Sequence, residues 1–254
     1  MPHQEQPPPA TRALLDRFVT GLLPLAPVAV WAHGSLAGGD YQEGRSDLDL
    51  IAVLPRTPTP GTVWRLALLH ARLRADPLAP GLHCTYLTPS AAGDTARAHL
   101  TWAHERLFRR PVTPVTRREL HTFGRVLYGR EPAGLLPPVP DRELAAFVLR
   151  DQRDYWRPMV DRPALWTRDE WVDLGLITLA RATATVTDGR LISKREALAL
   201  LPALGAPVPV VEDITARRYG GPRPAPAPGW RDRRAGLTRD YLGPAIDALV
   251  ASYG

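Results

Sequence analysis

One cysteine, Cys84, is all that 254 residues contain. An intramolecular disulfide and a cysteine-cluster metal site are therefore excluded. Lysine is just as scarce: the chain has 32 basic residues, and Lys194 is the only one that is not arginine. No apolar run approaches the ~20 residues that a membrane-spanning helix needs. The opening Met1-Pro-His-Gln-Glu-Gln-Pro-Pro-Pro9 has neither the basic nor the apolar region of a secretory leader. These absences lead us to expect a cytoplasmic protein without a membrane partner.

The balance of what is present is basic, with a net charge of +6 and a pI near 10. Charge of that sign invites a nucleic-acid reading. Here the arginines are scattered and acids are interspersed among them, so nucleic acid is not expected as a partner. A hydrophobic content of 44% is ample for real cores. The length suits one large domain or two small ones.

The most informative stretch runs from Gly34 to Leu50. It follows an apolar, strand-like run (Pro27 to Ala32) and ends in another (Leu48 to Leu54). A Gly34-Ser35 turn comes first, then eleven residues, then Asp47-Leu-Asp49 within a strand pattern. Strand side chains alternate faces, so Asp47 and Asp49 point the same way while Leu48 and Leu50 enter the core. Two carboxylates ~7 Å apart along a strand suit magnesium, which prefers oxygen ligands. A Gly-Ser turn leading into a short helix offers N–H groups and a hydroxyl to phosphate.

Around this stretch the expected order is helix (11–23), strand, strand, helix (62–75) and a third strand over Leu82 to Leu87. His99 to Leu107 reads as helical, Thr116 to Phe123 as a short helix and Arg125 to Gly129 as a strand. The proline-dense Leu136-Pro-Pro-Val-Pro140 marks a boundary. Beyond it five helices are expected: 141–156, then one capped by Thr167 and Glu170 and running to Asp188, then one opened by the capping box Ser193/Glu196 and running to Leu204. Val208 to Tyr219 and Thr238 to Ser252 complete the set, with a linker over 220–229. The expected fold class is α+β: a disordered lead (1–9), a mixed-sheet α/β domain (10–137) and an all-helical domain (138–254).

Gly-Ser, a gap of this length and Asp-x-Asp on a strand resemble the DNA polymerase β-type nucleotidyltransferase superfamily. The second half is similar to the helical domain of streptomycin/spectinomycin adenylyltransferases, on Ile177-Thr-Leu-Ala-Arg181 through Gly189 to Lys194-Arg-Glu-Ala197. The resemblance implies Mg2+ and ATP, with Asp47 and Asp49 as metal ligands. It implies Gly34, Ser35, Ser46, Arg181, Lys194 and Tyr219 as nucleotide contacts. Trp102 and Trp156 stand near the family's drug-pocket tryptophans. Between 141 and 173 eight acids face six arginines, a surplus that suits a small cationic hydroxylated substrate such as an aminoglycoside, with Glu170 and Asp173 as contacts. A monomer is expected.

The chain's own chemistry agrees in part. A lysine in the first turn of a capped helix opposes the helix dipole, so the only lysine at that place suggests an anionic partner. Arg181 interrupts an apolar helix, which fits an anion ligand or a structural pair with Glu170.

At one position the chain departs from the family. Where a glutamate base is usual on the third strand, this sequence has His83. Three readings stay open. His83 is itself the base, since an unperturbed histidine pKa of ~6.5 suits proton abstraction near neutrality. Alternatively the base comes from Glu105, Asp173 or His104. Or the chain is a nucleotide-binding pseudoenzyme or regulator. Transfer to another small molecule or to a protein hydroxyl is the remaining enzymatic alternative.

Overall fold

A computed structural model of the chain describes residues 6–221 and 225–254. Two compact units meet in sequence at Val139/Pro140. The expected disordered lead falls largely on residues 1–5, outside the described residues; helix α1 begins at Pro9 and ends at Leu22. The expected linker over 220–229 includes 222–224, which also lie outside them.

In the first unit, strands β1 (Ala29–Ala32), β2 (Leu48–Val53), β3 (Leu82–Leu87), β4 (Ala98–Ala103), β5 (Arg106–Pro111) and β6 (Arg125–Gly129) form one mixed sheet, in the order β5-β4-β3-β2-β1-β6. Only β2 and β3 pair in parallel. Helix α3 (Pro60–Leu73) connects them, with Thr59 Oγ1 accepting from the Thr62 N–H at 3.2 Å to cap its start. Helix α2 (Gly34–Ala37) follows β1, and α4 (Pro114–Phe123) precedes β6.

The central strands are almost wholly buried because both sheet faces are covered. Leu50, Cys84, Tyr86 and Trp102 on one face pack with Leu14, Phe18, Leu66 and Leu69 from α1 and α3. Trp31, Ile51, Val53 and Leu87 on the other pack with Val112, Leu120 and Leu136. Alternation places Asp49 and His83 on this second face, at its polar end.

The helix expected over His99 to Leu107 is instead the β4–β5 hairpin. Its two-residue turn, His104-Glu105, has φ of 50° and 58°, the doubly left-handed backbone of a type I′ turn. Neither residue is the glycine or asparagine that usually marks such a turn, so the sequence carried no hairpin signal.

The second unit is helical: α5 (Asp141–Asp151), a π-helical turn (Gln152–Trp156), α6 (Arg157–Val160), α7 (Pro163–Trp166), α8 (Asp169–Asp188), α9 (Lys194–Leu200), α10 (Val208–Tyr219) and α11 (Trp230–Tyr253). The described residues thus hold more helical segments than the five expected. Thr167 does not cap α8; its hydroxyl donates to the Ala164 carbonyl at 3.0 Å, and Arg168 holds the cap position without a side-chain bond. The final helix starts earlier than Thr238 and runs through Pro244.

Gly189 ends α8 in the left-handed conformation, φ 67°. The Ser193/Glu196 capping box is present in full, although α9 stops at Leu200. Trp166 is fully buried and lies against Gly175 of α8, where a Cβ would come within 2.7 Å of the indole. No helix among the described residues is long and apolar enough to cross a membrane.

Candidate active site

Strand β1 ends at Ala32, and the chain turns at His33-Gly34 into the single turn of α2. Gly34 has φ 62°, and a Cβ there would lie 2.7 Å from Asp49 Oδ2. Glycine is required twice over, by the backbone and by the approach of the carboxylate. Ser35 is half-buried in this turn, and its carbonyl accepts from the Asp40 N–H at 3.0 Å.

The parallel register sets Asp49 of β2 directly beside His83 of β3. Asp49 Oδ1 lies 3.8 Å from His83 Nδ1, and Asp47 Oδ1 lies 3.9 Å from His83 Nε2. The two carboxylates therefore converge on one buried imidazole. Burial opposes ionisation of Asp49, but His83, His33 and Arg110 outweigh it and hold the carboxyl below its usual range. Asp47 is more exposed, at 56% against 29% for the Asp49 side chain.

Two residues of this centre, His33 and Glu119, are absent from the sequence-based expectations. His33 is buried beside Asp49, its N–H donating to the Asp49 carbonyl at 2.9 Å and its Nδ1 lying 3.0 Å from Oε2 of buried Glu119 on α4. Burial disfavours the charged ring, yet Glu119 and Asp49 prevail and raise its pKa. The pair is 86 positions apart in the chain, so no local pattern announces it.

Other expected residues divide. His104 packs on His83, ring centroids 4.7 Å apart. Glu105 turns to Arg74 at 3.7 Å instead. The Ser46 hydroxyl accepts from the Gln42 N–H at 3.1 Å, closing the turn before Asp47. Trp102 is corrected: it sits on the opposite sheet face from Asp49 and His83, stacked on His70 at 4.3 Å within the core. Strand alternation decides this, because the helix expected there gave Trp102 no face.

In the second unit Arg181 Nε donates to the Ile192 carbonyl at 2.9 Å, tying α8 to the segment that opens α9 at Lys194. The Arg195 guanidinium lies 3.9 Å over the Tyr219 ring. Arg181, Lys194 and Tyr219 thus belong to one neighbourhood. Trp156 is buried against Trp171, ring centroids 6.0 Å apart. Asp173 is buried and paired with Arg217 at 2.6 Å; burial raises its pKa, and Arg217 only partly offsets this. Glu170 is exposed and pairs with Arg168 at 3.0 Å.

The donor set suits magnesium. Two carboxylates are what that ion commonly takes from a protein, with phosphates and water completing its shell. Among the described residues no group of three or more His, Cys, Asp and Glu side chains forms a metal cage of its own. A neutral imidazole is a poor magnesium ligand, which leaves His83 for another task.

A mixed sheet carrying Asp-x-Asp beside a glycine turn, followed by a helical unit, is the nucleotidyltransferase fold. The structure matches that of spectinomycin adenyltransferase AAD(9) from Enterococcus faecialis, solved with ATP and spectinomycin, at a TM-score of 0.70. The match covers 93% of this chain and 99% of that one, with 15% sequence identity. No protein-family model and no curated protein sequence matches the chain.

Proposed function

We propose that the protein is a magnesium-dependent nucleotidyltransferase that moves AMP from ATP to a hydroxyl of a small molecule. The observation that carries this reading is the convergence of Asp47 and Asp49 on His83, beside a glycine whose left-handed backbone and closeness to Asp49 disfavour any side chain. Asp47 and Asp49 would hold Mg2+, which neutralises charge on the leaving pyrophosphate. Gly34 and Ser35 offer the triphosphate donors from the α2 turn, and in the second unit Arg181, Lys194 and Tyr219 are assigned to nucleotide binding by resemblance. The acceptor oxygen bonds to the α-phosphorus, the bond from that phosphorus to the bridging oxygen breaks, and pyrophosphate departs. His83 takes the acceptor's proton. Holding these groups in line supplies most of the acceleration.

The neighbour was solved with ATP and spectinomycin, which supports an aminoglycoside-type antibiotic as the acceptor class. Asp173 and Glu170, paired with arginines, add little to that choice. Incubation with α-labelled ATP, Mg2+ and an aminoglycoside panel tests the reading. Labelled product should form with the native protein and not with Asp49→Asn, while His83→Glu should retain transfer and His83→Ala should lose it. Turnover surviving in both Asp47→Asn and Asp49→Asn would sink the metal assignment. Transfer by His83→Glu alone would favour the pseudoenzyme reading.

A further inference from the structure

Helix α2 is one turn long, with a glycine at its start (Gly34) and two more just beyond its end (Gly38 and Gly39). A single turn does not hold its own shape in water. Its direction is set by what packs around it, and Leu36 and Ala37 are its buried members. The polar anchor comes from α4. Glu119 Oε2 lies 3.0 Å from His33 Nδ1, and both residues are buried, at 6% and 8% exposure. A carboxylate only accepts, so Nδ1 carries the hydrogen. Four residues further along α4, on the same helix face, the Phe123 ring lies against Gly38, 3.5 Å from where a Cβ would stand. Helix α4 therefore grips the α2 turn at both ends.

His33 passes this constraint to the site. Its N–H donates to the Asp49 carbonyl at 2.9 Å, and the next residue, Gly34, lies against the Asp49 carboxylate. A displaced His33 would carry the Gly34–Ser35 turn away from Asp49. Stability alone does not call for such a pair. Apolar side chains of similar volume fill a buried place of this kind at equal or lower cost. A hydrogen bond between two buried groups does what an apolar contact does not, which is to fix one direction.

We propose that Glu119, acting through His33, is a positioning residue for the nucleotide: the pair holds the Gly34–Ser35 turn where it takes the outer phosphates of Mg-ATP. The assignment rests on the nucleotidyl-transfer reading above. Neither side chain touches the phosphates in this role. Glu119 orients the imidazole, the imidazole fixes the end of β1, and the turn that follows meets its ligand beside Asp49. Small displacements of such a turn cost affinity and rate out of proportion to their size.

The test uses the full chain, with thermal unfolding and calorimetric titration of Mg-ATP and, separately, of Mg-pyrophosphate. Glu119→Ala should weaken both ligands about tenfold or more. Glu119→Gln keeps an oxygen that accepts from Nδ1 and should restore most of that loss. The paired variant His33→Phe/Glu119→Leu separates position from stability. It should unfold near the native temperature and still bind both ligands as weakly as Glu119→Ala. Native affinity in Glu119→Ala or in the folded paired variant overturns the assignment. Equal affinities in the Gln and Ala variants overturn it too, because the hydrogen bond is then not what holds the turn. So does a loss with Mg-ATP that Mg-pyrophosphate does not share, since the effect then lies away from the outer phosphates. If the paired variant fails to fold, the Ala and Gln variants carry the test. A native protein that binds neither ligand removes the nucleotidyl-transfer reading, and the assignment with it, before any variant is compared.

Discussion

At the scale of single residues, the site depends on what Gly34 lacks. Gly34→Ala places a methyl group 2.7 Å from the Asp49 carboxylate on a backbone of φ 62°, so either the turn or the carboxylate must move. Strain of this kind costs about 1–3 kcal/mol, which chemical denaturation would register, and Mg-ATP affinity should fall with it. A second residue contributes to the loss of stability in acid. His70 is buried with Nε2 2.7 Å from the Tyr86 hydroxyl, and burial lowers its pKa from 6.5 to about 3. The unfolded chain therefore binds this proton at a higher pH than the folded one does. The stabilising contribution is complete above 6.5 and is lost as pH falls from there toward 3. Native protein should lose about 1 kcal/mol per pH unit below pH 6 from this group. His70→Phe should flatten that slope in urea titrations at pH 7.5 and 5, and an unchanged slope would refute the assignment.

At the scale of elements, the β4–β5 hairpin holds two side chains in a backbone that favours glycine and asparagine. Replacing His104 by Asn and Glu105 by Gly should stabilise the first unit by about 1 kcal/mol. The exchange removes the Arg74–Glu105 ion pair, which is exposed and worth little. Differential scanning calorimetry measures the gain, and a lowered unfolding temperature would mean that His104 contributes more through its packing on His83. The same hairpin marks the limit of what the sequence disclosed. Strands β1, β2, β3 and β6, the start of α9 and all of α10 were legible, because apolar runs, proline and cap residues act locally. The hairpin was not, because its turn lacks turn residues and its arginine-rich second strand has no apolar alternation. The placement of Asp47 and Asp49 on one strand face was legible from spacing and alternation, and that of His83 beside them from the resemblance. His33 with Glu119 needed α4 to be folded back under β1, and Trp102 needed a strand face that an expected helix could not supply.

At the scale of the whole molecule, arginine carries nearly every positive charge and is used structurally as well as at the surface. Arg234, 2% exposed, joins Asp169 of α8 and Asp213 of α10, and Arg217 joins Asp213 to Asp173. Planar forks with several donors suit such shared carboxylates, and none of these bonds falls to lysine. Lys194 begins α9, between the two members of its capping box. The consequence is practical. Apart from the terminal amine, the chain offers one primary amino group to chemical labelling, and a lysine-specific protease has one bond to cut. An amine-reactive fluorophore at alkaline pH should attach there at a rate read by peptide mapping, which separates Lys194 from the more acidic terminal amine. Saturating Mg-ATP should slow that attachment several-fold if the ammonium holds phosphate, and an unaltered rate would release Lys194 from the nucleotide. The scarcity of lysine turns an ordinary labelling reagent into a single-site reporter of ligand binding.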